Sequence, residues 1–204
     1  DEVNLPKLKE LADRYGLLSV IDEAHATGVI GATGRGTAEY YHMEQGADIT
    51  VGTLSKSVGS EGGFVCGDGV LIDYLKNKAR SFIFSTAMSP VTVAASLKGL
   101  ELMTDSTHRT ERLQGNIRFF CDCLQEQGIF VQTDSAIVPI LIGEEGKAMQ
   151  VAERLFRHGY FVSAIRYPTV EKGAARLRIT LMATHEKEEL QEASREIGEA
   201  IHSI

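Results

Sequence analysis

Two short apolar segments near the start of the chain are each followed directly by polar, glycine-flanked sequence. The first, residues 17–21, has the continuous apolar character of a buried parallel strand and precedes Asp22-Glu23-Ala24-His25. The second, residues 49–51, precedes Gly52-Thr53-Leu54-Ser55-Lys56. Open α/β sheets bind ligands just beyond the carboxyl ends of their parallel strands. The pattern therefore predicts an α/β fold whose chemistry lies in these two loops.

The rest of the chain predicts a second, smaller α/β domain. Helical periodicity extends over residues 91–103 and 109–127, and apolar strand-like segments then alternate with amphipathic helices to the end. A junction is expected near residues 103–107, with one domain over residues 1–104 and another over residues 105–204. Because the first residue is not Met and a helix begins almost at once, we expect the chain to be part of a longer protein.

Composition excludes several classes of function. The 21 Lys and Arg residues against 28 Asp and Glu residues give a net charge of −7 without a basic run, so no nucleic-acid partner is predicted. No apolar stretch approaches the roughly 18 residues of a membrane span, and no membrane partner is predicted. The three cysteines lack CxxC spacing, which favours a reducing cytoplasm. Five histidines lack metal-like spacing, and no metal is predicted: His42, His108, His158, His185 and His202.

The segment Asp22-Glu23-Ala24-His25 has two interpretations. One is the acidic motif of a nucleotide-dependent motor, in which a carboxylate holds magnesium. That interpretation needs a phosphate loop, and no GxxxxGK[ST] pattern occurs in this chain. The other is a strand end at which an aspartate and a histidine, three residues apart, hold a heteroaromatic ring.

Lys56 strengthens the second interpretation. It follows two hydroxyl residues, Thr53 and Ser55, at another strand end, which suits a lysine that forms a Schiff base. Pyridoxal phosphate (PLP) needs such a lysine, a carboxylate that keeps its pyridine nitrogen protonated, and donors for its phosphate. Lys56, Asp22 and Thr53 are candidates for these three tasks.

At this point the sequence resembles a known family, the α-oxoamine synthases of the fold-type I PLP enzymes. The resemblance rests on segments that occur in family order: residues 22–28, 31–36, 52–56, 82–87 and 174–180. It implies the end of a fold-type I large-domain sheet over residues 1–104 and a small C-terminal domain over residues 105–204. It also implies that the chain corresponds to the C-terminal half of a family member. The resemblance further implies a homodimer whose subunits share the active site.

The resemblance implies site residues position by position. Lys56 is the Schiff-base lysine, Asp22 the partner of the pyridine nitrogen, and His25 a contact of the phenolic oxygen, and these three form the catalytic set. The same two motifs supply further cofactor-binding residues, namely Glu23, Ala24, Thr53, Leu54 and Ser55.

Other implied contacts lie later in the chain. Ser85 and Thr86 match residues that reach the cofactor phosphate of a neighbouring subunit. Arg178 matches an arginine that holds the amino-acid carboxylate, which suits a bidentate guanidinium. Arg166 and Thr169 match positions that line the substrate site, whereas Arg176 is interpreted as structural.

The implied reaction is a PLP-dependent acyl transfer. Two segments favour one branch of the family, namely residues 164–170 and residues 53–56. Members of this branch condense L-alanine with pimeloyl-CoA, or with its carrier-protein thioester, during biotin synthesis. The alternative is the branch that acetylates glycine from acetyl-CoA. Tyr167 stands where members of the first branch commonly have proline. Beyond the family, the nucleotide motor remains the alternative of a different class.

Overall fold

The computed structural model describes residues 3–105 and 107–204. Its elements, in chain order, are α1 Leu5–Tyr15, β1 Val20–Asp22, α2 Thr37–Tyr40, β2 Ile49–Thr53, β3 Gly63–Gly67, α3 Gly69–Lys78, α4 Arg80–Ile83, α5 Pro90–Asp105, α6 His108–Glu126, β4 Ile137–Gly143, α7 Glu145–Arg157, β5 Ser163–Ile165, β6 Ala175–Thr180 and α8 Lys187–His202. No helix among the described residues is long and apolar enough to cross a membrane.

The chain divides into two compact units at Thr110/Glu111, which we call the N-terminal unit and the C-terminal unit. This division falls in the first turn of α6, a few residues beyond the junction expected from the sequence. Assignment of residues 1–104 and 105–204 to a cofactor domain and a small domain stays a prediction.

The N-terminal unit contains a three-stranded sheet in the order β1-β2-β3. Strands β1 and β2 are parallel, with Asp22 opposite Val51, and β3 is antiparallel to β2. Because β1 and β2 are parallel and in register, the residues that follow Asp22 and Thr53 leave the same edge of the sheet.

Helix α1 begins and ends at residues with clear local causes. The side chain of Asn4 accepts a hydrogen bond from the Lys7 backbone N–H at 3.0 Å, and Pro6 lies in the first turn. Gly16 ends the helix with a left-handed φ of 63°. The apolar segment that follows is not buried throughout: Leu17 and Leu18 are exposed, and strand pairing begins only at Val20.

Helix α5 approaches the loop after β2 very closely. A Cβ added at Gly99 would lie 2.2 Å from the Val58 carbonyl oxygen, so only glycine fits there. Ser96, the buried residue of α5, donates a hydrogen bond of 2.8 Å to the Ser60 hydroxyl. Ser60 in turn donates to the Thr92 carbonyl at 3.0 Å. These contacts fix the loop between β2 and β3 on α5. We call this loop, residues 54–62, the Lys56 loop.

The C-terminal unit is built on an antiparallel sheet in the order β4-β6-β5. One face is buried and contributes Val138, Leu177 and Ile179 to a core completed by α6, α7 and α8. The helices supply buried side chains that include Ile117, Phe120, Leu124, Val151, Leu155, Leu190 and Ile197. The alternate residues of β6, among them Arg178, lie on the exposed face.

Candidate active site

Asp22 ends β1 and folds the chain away from the sheet. Its Oδ1 accepts a hydrogen bond of 2.8 Å from the Ala24 backbone N–H, and the Glu23 N–H continues the strand pairing to the Val51 carbonyl at 2.8 Å. Asp22 and His25 are exposed, whereas Ala24 is half-buried. The strand end therefore presents a carboxylate and an imidazole on a turn whose base is fixed.

Glu23 points into the protein. It is buried, and both carboxylate oxygens accept the Thr37 backbone N–H at 3.1 Å. A Cβ at the preceding Gly36, which has a φ of 93°, would lie 2.5 Å from one of those oxygens. The Glu23 side chain thus anchors the glycine-rich segment 28–36, while its predicted contribution to the cofactor site stays a prediction.

The Lys56 loop is ordered by short-range hydrogen bonds. The hydroxyls of Thr53 and Ser55 lie 2.8 Å apart, and the Ser55 N–H donates to the Thr53 hydroxyl at 3.2 Å. Leu54 is buried, and its N–H donates to the Gly62 carbonyl at 2.9 Å. Lys56 itself is exposed, and among residues 3–105 and 107–204 its ammonium has no hydrogen bond or ion pair.

Ser85 and Thr86 lie in the same unit, just after α4. Both are exposed, and the Ser85 hydroxyl donates to the Ser81 carbonyl. Their predicted contact with a neighbouring subunit's cofactor is not tested by a single chain and stays a prediction.

The candidate substrate residues belong to the C-terminal unit. Arg178 lies on the middle strand, with Pro139 and Ser163 opposite it on β4 and β5. Arg166 and Thr169 lie in an exposed turn after β5, in which the Thr169 N–H donates to the Arg166 carbonyl at 3.0 Å. Within the described part of the chain, neither arginine takes part in an ion pair.

Several residues that organise the site were not singled out from the sequence. Ser57 and Gly99 act through contacts between segments distant in the sequence, so local patterns do not reveal them. Glu39 binds residues only four to six positions away, but no local pattern marks it as their acceptor. Two signals were nevertheless present. Gly99 interrupts an otherwise regular helical pattern at a cost of about 1 kcal/mol relative to alanine. Ser57 is a third hydroxyl residue after Thr53 and Ser55.

Cys121 and Cys123 lie in α6, outside the candidate active site. Burial raises the pKa of the Cys121 and Cys123 thiols, which makes both poor nucleophiles. In the part of the chain that the structure describes, no group of three or more His, Cys, Asp or Glu side chains is placed to hold a metal ion.

Comparison with protein families settles the class of protein. The profile of the family described as aminotransferase class I and II matches residues 1–197. The chain belongs to this family. The match spans nearly the whole sequence, including the Asp22–His25 motif, so the nucleotide-motor interpretation is wrong.

Curated members of the family give a finer likeness. The chain is 44% identical over 191 residues to the 8-amino-7-oxononanoate synthase of Lysinibacillus sphaericus, covering 93% of this chain and 49% of that protein. It is 40% identical over 194 residues to the enzyme of the same name from Thermoanaerobacter pseudethanolicus, which covers 95% of this chain and 49% of that protein. The chain thus spans about half the length of the curated relatives it matches.

Solved structures confirm the fold class. A serine palmitoyltransferase from S. paucimobilis, 28% identical, superposes with a TM-score of 0.93 over 100% of this chain and 53% of that one. An 8-amino-7-oxononanoate synthase from Francisella tularensis, 29% identical, superposes with a TM-score of 0.81 over 97% of this chain and 58% of that one. The predicted α/β fold of the fold-type I transferases and the resemblance to α-oxoamine synthases are both confirmed.

Proposed function

We propose that the protein is a PLP-dependent acyltransferase of the 8-amino-7-oxononanoate synthase type. It condenses L-alanine with a pimeloyl thioester and releases carbon dioxide and the free thiol, which is a step of biotin synthesis. The observation that carries the proposal is the parallel register of β1 and β2, which sends the Asp22 and Lys56 motifs from one sheet edge. The names of the curated relatives support the choice of reaction.

The residues at this edge fit PLP by their chemistry. Its aldehyde requires a primary amine, its pyridine nitrogen a carboxylate and its phosphate hydrogen-bond donors. Lys56, which has no ion pair within the described residues, Asp22 and the hydroxyls of Thr53 and Ser55 are groups of these kinds. When bound, PLP supplies an electrophilic carbonyl for amines and a ring that accepts the electron pair left at Cα. We assign this cofactor-binding task to residues 1–104, and the small domain to residues 105–204.

Each residue at the strand ends has one task in the proposal. The Asp22 carboxylate keeps a proton on the pyridine nitrogen, and His25 contacts the phenolic oxygen. Thr53 and Ser55 donate hydrogen bonds to the phosphate. Lys56 holds the cofactor and, once its amine is released, takes the proton from Cα of the amino acid, since a free amine placed beside that carbon is a competent base.

The arginines of the C-terminal unit recognise the substrates. Arg178 binds the amino-acid carboxylate through two parallel hydrogen bonds, a geometry for which a guanidinium is suited. Arg166 and Thr169 line the site for the acyl substrate. Arg178 is exposed and has no ion pair among the described residues. Its N–H donors are therefore available to bind a carboxylate.

The working enzyme is a cytoplasmic homodimer in this proposal. Ser85 and Thr86, both exposed, reach the cofactor phosphate of the neighbouring subunit. The three cysteines are free thiols, which is typical of a reducing compartment.

The first experiment identifies the cofactor lysine. Full-length protein is incubated with PLP, reduced with borohydride and digested, and the pyridoxyl-labelled peptide is identified by mass spectrometry. We expect the label on Lys56 and its loss in Lys56→Ala. The matched control is Lys98→Ala, which removes an exposed lysine of α5 and should keep the label. A label on any other lysine contradicts the assignment.

The second experiment chooses between the substrate pairs. Full-length enzyme is assayed with alanine and glycine against pimeloyl and acetyl thioesters in all four combinations. We expect alanine with the pimeloyl thioester to have the highest kcat/KM. Some turnover of glycine is also expected, because one methyl group contributes only about 1–3 kcal/mol to discrimination. A tenfold preference for glycine with acetyl-CoA would establish the alternative branch instead.

A further inference from the structure

Ser57 joins the two loops of the candidate active site. Its hydroxyl donates a hydrogen bond of 2.6 Å to the Thr27 backbone carbonyl, across 30 positions of sequence. Ser57 is the residue after Lys56, and Thr27 lies two residues after His25. A single side chain thus links the lysine loop directly to the loop with the aspartate and the histidine.

This contact is closely fitted. Gly28, with a φ of 77°, packs against Ser57 so tightly that an added Cβ would lie 2.6 Å from the Ser57 Cβ and 2.8 Å from its hydroxyl oxygen. The same added atom would lie 3.1 Å from the Cε of Met103 on α5. The Ser57 side chain therefore has little freedom to move relative to the Gly28 backbone.

The acceptor is itself held in place. The Thr27 N–H and hydroxyl both donate to the Glu23 carbonyl, at 2.9 and 3.0 Å. Glu23 is buried and bound to the Thr37 N–H. The Thr27 carbonyl is thus part of a rigid turn, and a donor that binds it takes its position from that turn.

We propose that Ser57 is a positioning residue, which fixes the Lys56 loop relative to the Asp22–His25 loop. The inference rests on the proposed function, since it concerns the distance between the amine and the groups that hold the cofactor ring. A long lysine side chain reaches its target reproducibly only if its backbone is fixed. Displacements of about 1 Å are enough to cost large factors in rate.

The test uses three variants of the full-length protein. Ser57→Ala removes the donor, and Ser57→Cys replaces the hydroxyl with a larger and weaker donor. Thr104→Ala is the matched control, because it also deletes a hydroxyl that donates to a carbonyl, that of Leu100 at 3.0 Å, but on the exposed side of α5.

Two readouts besides activity are measured. The first is amide hydrogen exchange of the cofactor-free protein over residues 25–28 and 54–58. The second is the dissociation constant for PLP, from titration of the cofactor-free protein with PLP alone. Ser57→Ala should exchange faster in both segments and bind PLP about fivefold to tenfold more weakly, the change expected for one neutral hydrogen bond. Ser57→Cys should lie between Ser57→Ala and wild type, and Thr104→Ala should match wild type.

Kinetics separate positioning from a general loss of stability. We expect Ser57→Ala to lower kcat at saturating PLP, while KM for alanine and the thermal midpoint of the cofactor-free protein stay at the values of Thr104→Ala. Suppose that borohydride reduction labels wild type at Lys56, but Ser57→Ala has the amide exchange rates and the PLP dissociation constant of wild type. The positioning role is then refuted, and the proposed function stands. If wild type takes no label at Lys56, the proposed function fails and the positioning role fails with it.

Discussion

Glu39 organises the glycine-rich segment of the N-terminal unit through its carboxylate. One oxygen accepts the Thr33 hydroxyl at 2.7 Å, and the other accepts the N–H groups of Thr33 and Arg35 at 3.0 and 3.1 Å. Partial burial acts to raise the pKa of Glu39, but these hydrogen bonds outweigh it, and the pKa lies below its ordinary value of 4.5. The ionised form is thus the one that the folded segment stabilises.

The lowered pKa gives the segment a defined acid sensitivity. A carboxyl group with a depressed folded pKa contributes stability that is complete above its unfolded pKa and is lost as pH falls through the folded pKa. We expect the protection of the Thr33 and Arg35 amides from hydrogen exchange, corrected for intrinsic rates, to fall below pH 4.5.

Two variants test this role of Glu39: Glu39→Gln removes the charge, and Glu44→Gln is the control. Glu39→Gln should lower the protection of the Thr33 and Arg35 amides at pH 7, by about 1–2 kcal/mol in opening free energy, because bonds to a charged acceptor are lost. It should also abolish the decline in acid. Glu44 is exposed, and Glu44→Gln should behave as wild type. Equal protection of wild type and Glu39→Gln at pH 7 would contradict the assignment.

Arg178 and Arg176 lie two residues apart on the same face of β6, so they form a matched pair. Arg176 donates through Nε to the Ala174 carbonyl at 3.1 Å, which is a local structural bond. We expect Arg178→Ala to raise KM for alanine about 10- to 100-fold, the range for hydrogen bonds to a charged group, with a much smaller change in KM for the thioester. Steady-state kinetics check this. Arg176→Ala should leave KM for alanine near wild type, and equal effects of the two variants would remove the special role of Arg178.

At the scale of elements, the contact between α5 and the Lys56 loop changes the expected effect of replacing a helix glycine by alanine. Gly→Ala inside a helix usually stabilises by about 1 kcal/mol. At Gly99 the new methyl group would lie 2.2 Å from the Val58 carbonyl oxygen and 2.8 Å from Val58 Cγ1. We expect Gly99→Ala to destabilise by about 1–3 kcal/mol, as overpacking does, and to weaken PLP binding because Val58 lies two residues after Lys56.

A second glycine provides the control. Gly115 lies inside α6, and a Cβ added there meets nothing within 4 Å among the described residues. Gly115→Ala should therefore keep or raise the thermal midpoint in the same scanning calorimetry experiment. A Gly99→Ala protein as stable as wild type would show that α5 does not constrain the loop.

The elements differ in how far the sequence alone determines them. The sequence predicts that a helix begins almost at once, and the signals at both ends of α1, Asn4 and Gly16, are local ones. Residues 17–21 are apolar, yet only Ile21 among them is a buried apolar side chain, so hydrophobicity overstates the strand. The predicted loops after β1 and β2 do leave one sheet edge. The Ser57–Thr27 bond was not predictable, because it depends on how closely two distant segments approach.

At the scale of the molecule, the two units differ in how they bury apolar side chains. The C-terminal unit has an interior of fully buried residues on its sheet and three helices. In the N-terminal unit, α3 has no buried residue and α5 has one, while Val70, Phe84 and Val91 are largely exposed. Exposed apolar surface on this scale marks regions that associate with other protein surface.

This contrast predicts different behaviour of the isolated units. Residues 111–204 should fold as a monomer and unfold cooperatively, because their core is formed within the segment. Residues 1–110 should bind an apolar dye and self-associate. Circular dichroism and size-exclusion chromatography of the two separately expressed segments measure this. A disordered segment 111–204 would contradict the prediction.

The crossover between β1 and β2 has a consequence for how the sequence can change over evolutionary time. Parallel strands are usually joined by a packed helix, yet residues 23–48 contain only the four-residue α2. Hydrogen bonds from Thr37 to Glu23 and from Gly28 to Gly34 instead lock this connection residue by residue. One residue inserted between Gly28 and Gly34 would shift both of these pairs out of alignment. Insertions and deletions should therefore accumulate in segments such as residues 127–136, which contain no helix or strand, and be rare between β1 and β2.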